Sequence, residues 1–353
     1  MKILTIDVGT GTTDILLYES ENLIENSMKL VIPSSHITIS KHLSKIENDV
    51  YFNGWIMGGG KLKKRCLEHM EKGYNVAFEP LASKTIRDDL EQVKSYGFEI
   101  VKNPNDLKYK NYTKISLKDI NLSQIIEIFT QFDPDLIIDE VVIAVQDHGY
   151  KENIGDRDFR FEKIKERVPK PLPPEIFAME SKDVPEYFTR MQSLIHLLSK
   201  TNPEFKPIIM DTKFASIVGM CNDNYVKNLN SYIVADIGNG HTTVASIEDG
   251  KIQGIFEHHT RNLLEDSQKL ENLINSLANG TIKHEDVHDD HGHGAFALNP
   301  IDKIEKVIVA GPKRKLIEKT NLDYHYATPA GDVMMTGTVG LIKSFEYLRK
   351  IKN

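Results

Sequence analysis

The chain has 353 residues, 40% of them hydrophobic and 27% charged, with a formal net charge of −7. That length suits two domains of ordinary size, and the composition suits a globular core rather than a disordered chain. The acidic balance gives no basic face for nucleic acid, two isolated cysteines (Cys66 and Cys221) exclude a disulfide framework or a closely spaced cysteine metal motif, and no apolar run reaches the ~18 residues of a membrane span.

The N-terminus runs straight into a strand-like segment, Ile3 to Ile6, without the features of a signal peptide, so a cytoplasmic location is expected. A Gly/Thr-rich turn follows, Asp7-Val8-Gly9-Thr10-Gly11-Thr12-Thr13, then a second strand from Asp14 to Tyr18 and a third from Met28 to Ile32. Gly54-Trp55-Ile56-Met57-Gly58-Gly59-Gly60 precedes a helix expected over 61–71. Glycines there suit either an anion at a helix N-terminus or a tight strand–helix junction. The basic run Lys61 to Arg65 reads as a solvated helix face. Further helices are expected over 83–96 and 122–132, then an apolar strand over 141–145 followed by Gln146-Asp147-His148-Gly149. A proline-rich loop covers 168–174, and an amphipathic helix is expected over 187–199.

The opening design then returns. Tyr232 to Ala235 leads into Asp236-Ile237-Gly238-Asn239-Gly240-His241-Thr242, followed by two more strands, the last ending at His258 and His259. Asp7 and Asp236 are 229 residues apart, and at that offset Gly9 matches Gly238, Gly11 matches Gly240 and Thr13 matches Thr242. A single glycine turn is usually only a turn, but two copies after β-rich runs signal an internal duplication. A helix over 268–279, a His- and Asp-rich loop, a strand over 304–310 ending in Gly311-Pro312, and a last helix over 332–351 complete the chain. Gly337 and Gly340 allow that helix to pack closely. Both halves mix sheet and helix, an α/β class.

Glycine lets backbone amides approach an anion, and threonine hydroxyls add donors, so residues 9–13 and 238–242 are candidate phosphate binders. A carboxylate beside a polyphosphate is repelled by it unless a metal bridges them, which makes Asp7 and Asp236 candidate Mg²⁺-side residues. His241 either donates to phosphate or fills the turn. Asp147 or Gln146 is a candidate for orienting the attacking group, and His148 for carrying a proton; the alternative is an Asp-stabilised turn. His288, His291 and His293 are metal-competent side chains in a glycine-containing loop, and the competing reading is a hydrated polar loop.

The segments Ile-Asp-Val-Gly-Thr-Gly-Thr-Thr-Asp and Ala-Asp-Ile-Gly-Asn-Gly-His-Thr-Thr resemble the two phosphate motifs of the superfamily of sugar kinases, Hsp70 chaperones and actin. Within it, the chain is similar to a group of prokaryotic proteins often labelled pyruvate formate-lyase activating enzyme-like. The resemblance implies two duplicated actin-like (ribonuclease H-like) lobes with an interlobe nucleotide cleft, one over 1–215 carrying an inserted helical or substrate segment and one over 216–353. It also implies ATP and Mg²⁺ as cofactors, catalytic roles for Asp7, Asp147 and Asp236, and an adenosine contact at Gly311 and Pro312. Lys313, Arg314 and Lys315 then either stack on the base or stay solvated. The expected activity is phosphoryl transfer or ATP hydrolysis on an unknown small-molecule or protein substrate. A nucleotide-switched reactivating protein and a metal-dependent group transfer using the histidines are the alternatives. The activating-enzyme label implies a cluster that two lone cysteines do not support.

Overall fold

The computed structural model describes residues 1–103, 105 and 107–352, the side chains of Leu107 and Lys352 excepted. Its first six-stranded sheet runs in the order Met28–Pro33, Thr12–Glu19, Lys2–Val8, Glu140–Val145, Ile208–Met210, Met179–Glu180. The first three strands are antiparallel. Lys2–Val8 then pairs in parallel with Glu140–Val145, which pairs in parallel with Ile208–Met210. The second sheet repeats this order: Lys251–His259, His241–Glu248, Ser231–Ile237, Val307–Ala310, Tyr324–Tyr326, with the last two parallel to the first strand of the lobe. Each lobe is therefore a 3-2-1-4-5 sheet, the ribonuclease H-like arrangement that the family resemblance implies.

The lobes differ in what lies between their third and fourth strands. The first lobe inserts a four-stranded all-parallel sheet, Glu99–Ile100, Val76–Phe78, Val50–Gly54, Thr113–Leu117, with its own core around Phe52, Phe78 and Leu62. The second lobe inserts helices Thr260–Glu265, Ser267–Ala278 and Glu285–His288 and an extra edge strand, Gly294–Ala297. The first insertion is thus a small α/β subdomain rather than a helical segment. The helix expected over 83–96 is two short ones, Pro80–Ser83 and Leu90–Ser95. Asp89 accepts from the backbone N–H groups of Glu91 and Gln92 and so starts the second of them afresh.

After its fifth strand each lobe sends a helix into the space between the sheets, Thr212–Cys221 from the first and Thr336–Lys352 from the second. They cross at contact distance because the residues at the crossing lack a Cβ. A Cβ on Gly219 would stand 1.8 Å from the Thr336 carbonyl oxygen, and one on Gly340 would stand 1.8 Å from that of Ala215. Around them a continuous core joins Val142, Ala144, Met210 and Phe214 of the first lobe to Val234, Ala245, Ile308 and Phe345 of the second.

Candidate functional site

The two glycine loops are built alike, hydrogen bond for hydrogen bond. Gly9 N–H donates to Thr12 O at 2.9 Å, and Gly238 N–H to His241 O at 3.1 Å. Just beyond each third strand, a backbone N–H returns to the loop: Ser34 to Gly11 O, and Thr260 to Gly240 O. The register places Asp7 opposite Asp14 and Asp236 opposite Thr243. The loops face each other across a cavity of ≈ 880 Å³, and a Cβ on Gly11 would stand 2.8 Å from Asn239 Nδ2. Asp7, Gly9, Thr10, Gly11, Thr12, Asp236, Gly238, Asn239, Gly240, His241, Gly311 and Pro312 all line that cavity.

Thr13 and Thr242 do not line it, although both belong to the expected phosphate set. Thr13 is buried, and Thr242 is fully buried against Thr260, their hydroxyls 3.0 Å apart. The reason is strand alternation, which starts at Thr12 and His241 and turns every second side chain to the far face.

Carboxylates crowd the floor. Asp7, Asp14 and Asp236 are all buried, and Asp14 Oδ1 has no hydrogen-bond partner among the described residues. Burial, with Asp14 and Asp236 nearby, pushes Asp7 up to about 8 against the pull of Thr212, whose hydroxyl donates to Asp7 Oδ1 at 2.5 Å. Burial likewise pushes Asp14 up to about 6. The compensating cation is Lys213, whose Nζ lies 2.6 Å from Asp236 Oδ2 and donates to His241 O at 2.9 Å. Asp14, Thr212 and Lys213 line the cavity but were not singled out from sequence. Asp14 lies within the repeated segment, whereas Thr212 and Lys213 belong to no motif and arrive only because their helix starts beside the loops.

Asp147 lines the cavity with both oxygens already engaged. Oδ1 accepts from Gly149 N–H at 2.8 Å, and Oδ2 accepts from the N–H groups of Arg190 and Met191 at 2.9 and 3.0 Å. It closes the turn after its strand and holds the first turn of helix Thr189–Thr201. Burial raises its pKa to about 6 against those backbone donors.

His288, His291 and His293 do not come together. His288 stacks on His284, ring centroids 5.0 Å apart, with Nε2 2.7 Å from Asp158 Oδ1 but off hydrogen-bond alignment. His291 is exposed in a left-handed turn, φ 66°. That turn separates it from His293, which is buried on the cleft side next to the partly buried His148 and His241. His259, cross-strand partner of His241, reaches the cavity rim, while His258 turns away to Asp290 at 2.9 Å. Burial lowers His241 to about 3 and His293 to about 4, and holds His148 well below its ordinary value, so these imidazoles are neutral.

Beneath them lies an ion cluster that joins the lobes. Arg160, on helix Asp156–Arg167, donates to Glu257 at 2.9–3.1 Å, to Asp211 at 2.8 and 3.2 Å, and to Asp147 O at 2.9 Å. Nothing in the sequence pattern marked this cluster, since its members are 51 and 97 residues apart.

Ile56 to Gly60 line the cavity's outer wall, but Trp55, partly buried, packs against the first lobe's core beneath Lys200. The glycines there are sterically required: a Cβ on Gly59 would meet Thr85 O at 2.4 Å, and Gly60, at φ +45°, lies against the His36 ring. On the opposite side Gly311 packs on Asp236, Pro312 lies beside it, and Val333 and Met334 add apolar surface. Arg314 turns to Gly311 O and the Tyr326 ring, and neither it, Lys313 nor Lys315 lines the cavity.

Two like-ordered lobes, two facing Asp-x-Gly-x-Gly hairpins and a cleft between them define the actin-like ATPase fold class. Within it, the chain belongs to the family described as "Putative pyruvate format-lyase activating enzyme (DUF1786)", whose model matches residues 57–316. Among curated proteins no sequence matches. Solved structures similar to this chain include a protein with actin-like ATPase fold and unknown function from Bacteroides thetaiotaomicron. That pair has 10% identity and a TM-score of 0.38, with 96% of this chain and 95% of that one covered. Another is the activator of the 2-hydroxyisocaproyl-CoA dehydratase from Clostridium difficile with bound ADPNP, at 9% identity and a TM-score of 0.36 over 100% and 99% of the chains. The ethanolamine utilization protein EutJ from Carboxydothermus hydrogenoformans has 10% identity and a TM-score of 0.36 over 97% and 89%. Among the described residues, no helix is long and apolar enough to cross a membrane.

Proposed function

We propose that the protein binds Mg-ATP between its lobes and transfers or hydrolyses the terminal phosphoryl group. The observation that supports this best is the pair of loops built to one plan and meeting across one cavity, Gly11 against Asn239. Gly9 and Gly238 spend their N–H groups closing the turns, and the backbone amides of 10–12 and 239–241 supply the phosphate donors, with glycine keeping the approach open. Behind them, buried Asp7, Asp14 and Asp236 form an excess of negative charge that Lys213 only partly offsets, and Asp14 Oδ1 has no hydrogen-bond partner among the described residues. A magnesium ion suits that deficit, with Asp7 and Asp236 holding it through water. When bound it neutralises phosphate charge. Gly311, Pro312, Val333 and Met334 are the surfaces offered to adenosine.

Asp147 takes a positioning role in this reading. Its oxygens hold backbone N–H groups and thereby fix Gln146 and His148 at the cleft edge. The iron–sulfur chemistry implied by the activating-enzyme label finds no ligand set. Cys66 lies in the inserted subdomain's core, where burial pushes its thiol up, and burial pushes Cys221 up to about 12 in the helix between the sheets.

Calorimetry with a non-hydrolysable ATP analogue, with and without Mg²⁺, tests the binding half, and phosphate release tests the turnover half. Mg²⁺-dependent binding and release are expected in the native chain. Asp7→Asn should cut release by about 100-fold or more, the scale of several kcal/mol of charge stabilisation by a metal. Wild-type binding and turnover in both Asp7→Asn and Asp236→Asn would sink the reading.

A further inference from the structure

The duplication accounts for the two loops but not for the histidines around the second. His241 stands where the first lobe has Thr12. His148 follows the fourth strand of the first lobe, and His293 heads the edge strand Gly294–Ala297, which has no counterpart in the first lobe. Three segments far apart in sequence thus deliver imidazoles to one point. One ring nitrogen of each lies within 4.8 Å of the others, and the ring centroids are 4.8–5.7 Å apart.

Packing alone does not explain the arrangement. His293 is fully buried, yet among the described residues neither of its ring nitrogens has a hydrogen-bond partner. A buried polar atom left unpaired forfeits its hydration without replacement, and a phenyl ring would fill the same space without that cost. Glu257 Oε1 lies 3.7 Å from His293 Nδ1, beyond hydrogen-bond range, and Arg160 fixes that carboxylate from the other side. A carboxylate behind a histidine is the usual backing for a metal-bound imidazole. His148 and His241 are only partly buried and, with His293, line the open cavity.

We propose that His148, His241 and His293 hold one divalent transition-metal ion of the zinc class, with a further coordination position open to the cleft. Three imidazoles select such ions over magnesium, which takes oxygen donors. Three protein ligands and an open position form the donor set of a site that binds and polarises an oxygen of a ligand, rather than of a closed structural site. The ion sits beside the second phosphate loop but does not depend on nucleotide being bound.

The test uses untagged full-length chain, stripped with chelator and then titrated with Zn²⁺ and, in parallel, Co²⁺, without nucleotide. Mass spectrometric metal analysis should give one ion per chain, and Co²⁺ should show the visible absorption of a low-coordinate nitrogen site. His148→Ala and His241→Ala should each weaken binding by at least about 100-fold, the top of the range seen for losing an outer-shell partner. Circular dichroism of the two variants confirms that they remain folded. A His284→Ala/His288→Ala double variant should bind as the native chain does, because that pair lies with Asp158 in a separate cluster. The proposal is overturned if no ion is retained at micromolar concentration. It is equally overturned if stoichiometric binding survives both His148→Ala and His241→Ala, or is lost in the double variant instead. Because no nucleotide is present, each result is independent of whether ATP binds.

Discussion

Asp7 concentrates the chemistry of the cleft in one side chain. It is buried, accepts from Thr212, and lies so close to the last helix that a Cβ on Gly337 would stand 1.9 Å from its Oδ2. A carboxyl raised from 3.8 to about 8 by burial and by Asp14 and Asp236 holds its proton more tightly in the folded state than in the unfolded one. Its contribution to the stability of the ligand-free protein is fully present below about pH 4 and is lost as the pH rises through about 8. The melting temperature of the ligand-free protein should therefore fall across that window in the native chain and fall less in Asp7→Asn. A bound cation reverses the preference by favouring the carboxylate, so Mg²⁺-dependent nucleotide affinity should rise between pH 6.5 and about 8.5, with proton release detectable by calorimetry in buffers of different ionisation enthalpy. A pH-independent affinity would disprove that role for Asp7.

The crossing of helices Thr212–Cys221 and Thr336–Lys352 governs the geometry at the scale of elements. One starts at Thr212 and Lys213, beside the two aspartates, and the other passes Gly337 over Asp7. Gly340→Val puts a branched side chain where even a Cβ meets the Ala215 oxygen at 1.8 Å. Overpacking of this kind costs typically 1–3 kcal/mol or more, so urea unfolding should show a loss of at least about 2 kcal/mol. Gly250→Ala is the contrast. A Cβ there meets nothing within 4 Å, and only the cost of φ +69° remains, of order 1 kcal/mol. Much of this scale was legible in sequence: the strands around both loops, the helix expected over 122–132 and observed over Leu122–Thr130, and the close-packing glycines of the last helix. The parallel insert was not. Its strands are only two to five residues long and separated by helices, too short for periodicity to distinguish them from buried helix segments.

At the scale of the whole molecule, the lobes are tied beneath the cleft by Arg160, which bridges Asp211 of the first lobe to Glu257 of the second. A buried ion cluster adds little net stability, but removing one member strands the others. Arg160→Met leaves two buried carboxylates facing each other and should cost about 3–5 kcal/mol in chemical denaturation. Arg160→Met with Glu257→Gln should recover part of that loss, and equal losses in single and double variants would show that the cluster does not couple the lobes.

The sequence by itself determined the duplication, the order of the two glycine loops and the later Gly311 strand, and the two leading aspartates. These depend on local rules, namely glycine turns after apolar runs repeated at a fixed offset, which survive in one dimension. Tertiary structure alone decided which loop residues face the cavity, that Asp147 is occupied by backbone donors, and that Lys213 answers Asp236. It also parted His288 and His291 from His293 and set His293 with His148 and His241. Each depends on side-chain direction or on contacts between segments tens to hundreds of residues apart. Strand alternation, close helix crossing and the return of an edge strand to the cleft fix such contacts only when the chain has folded.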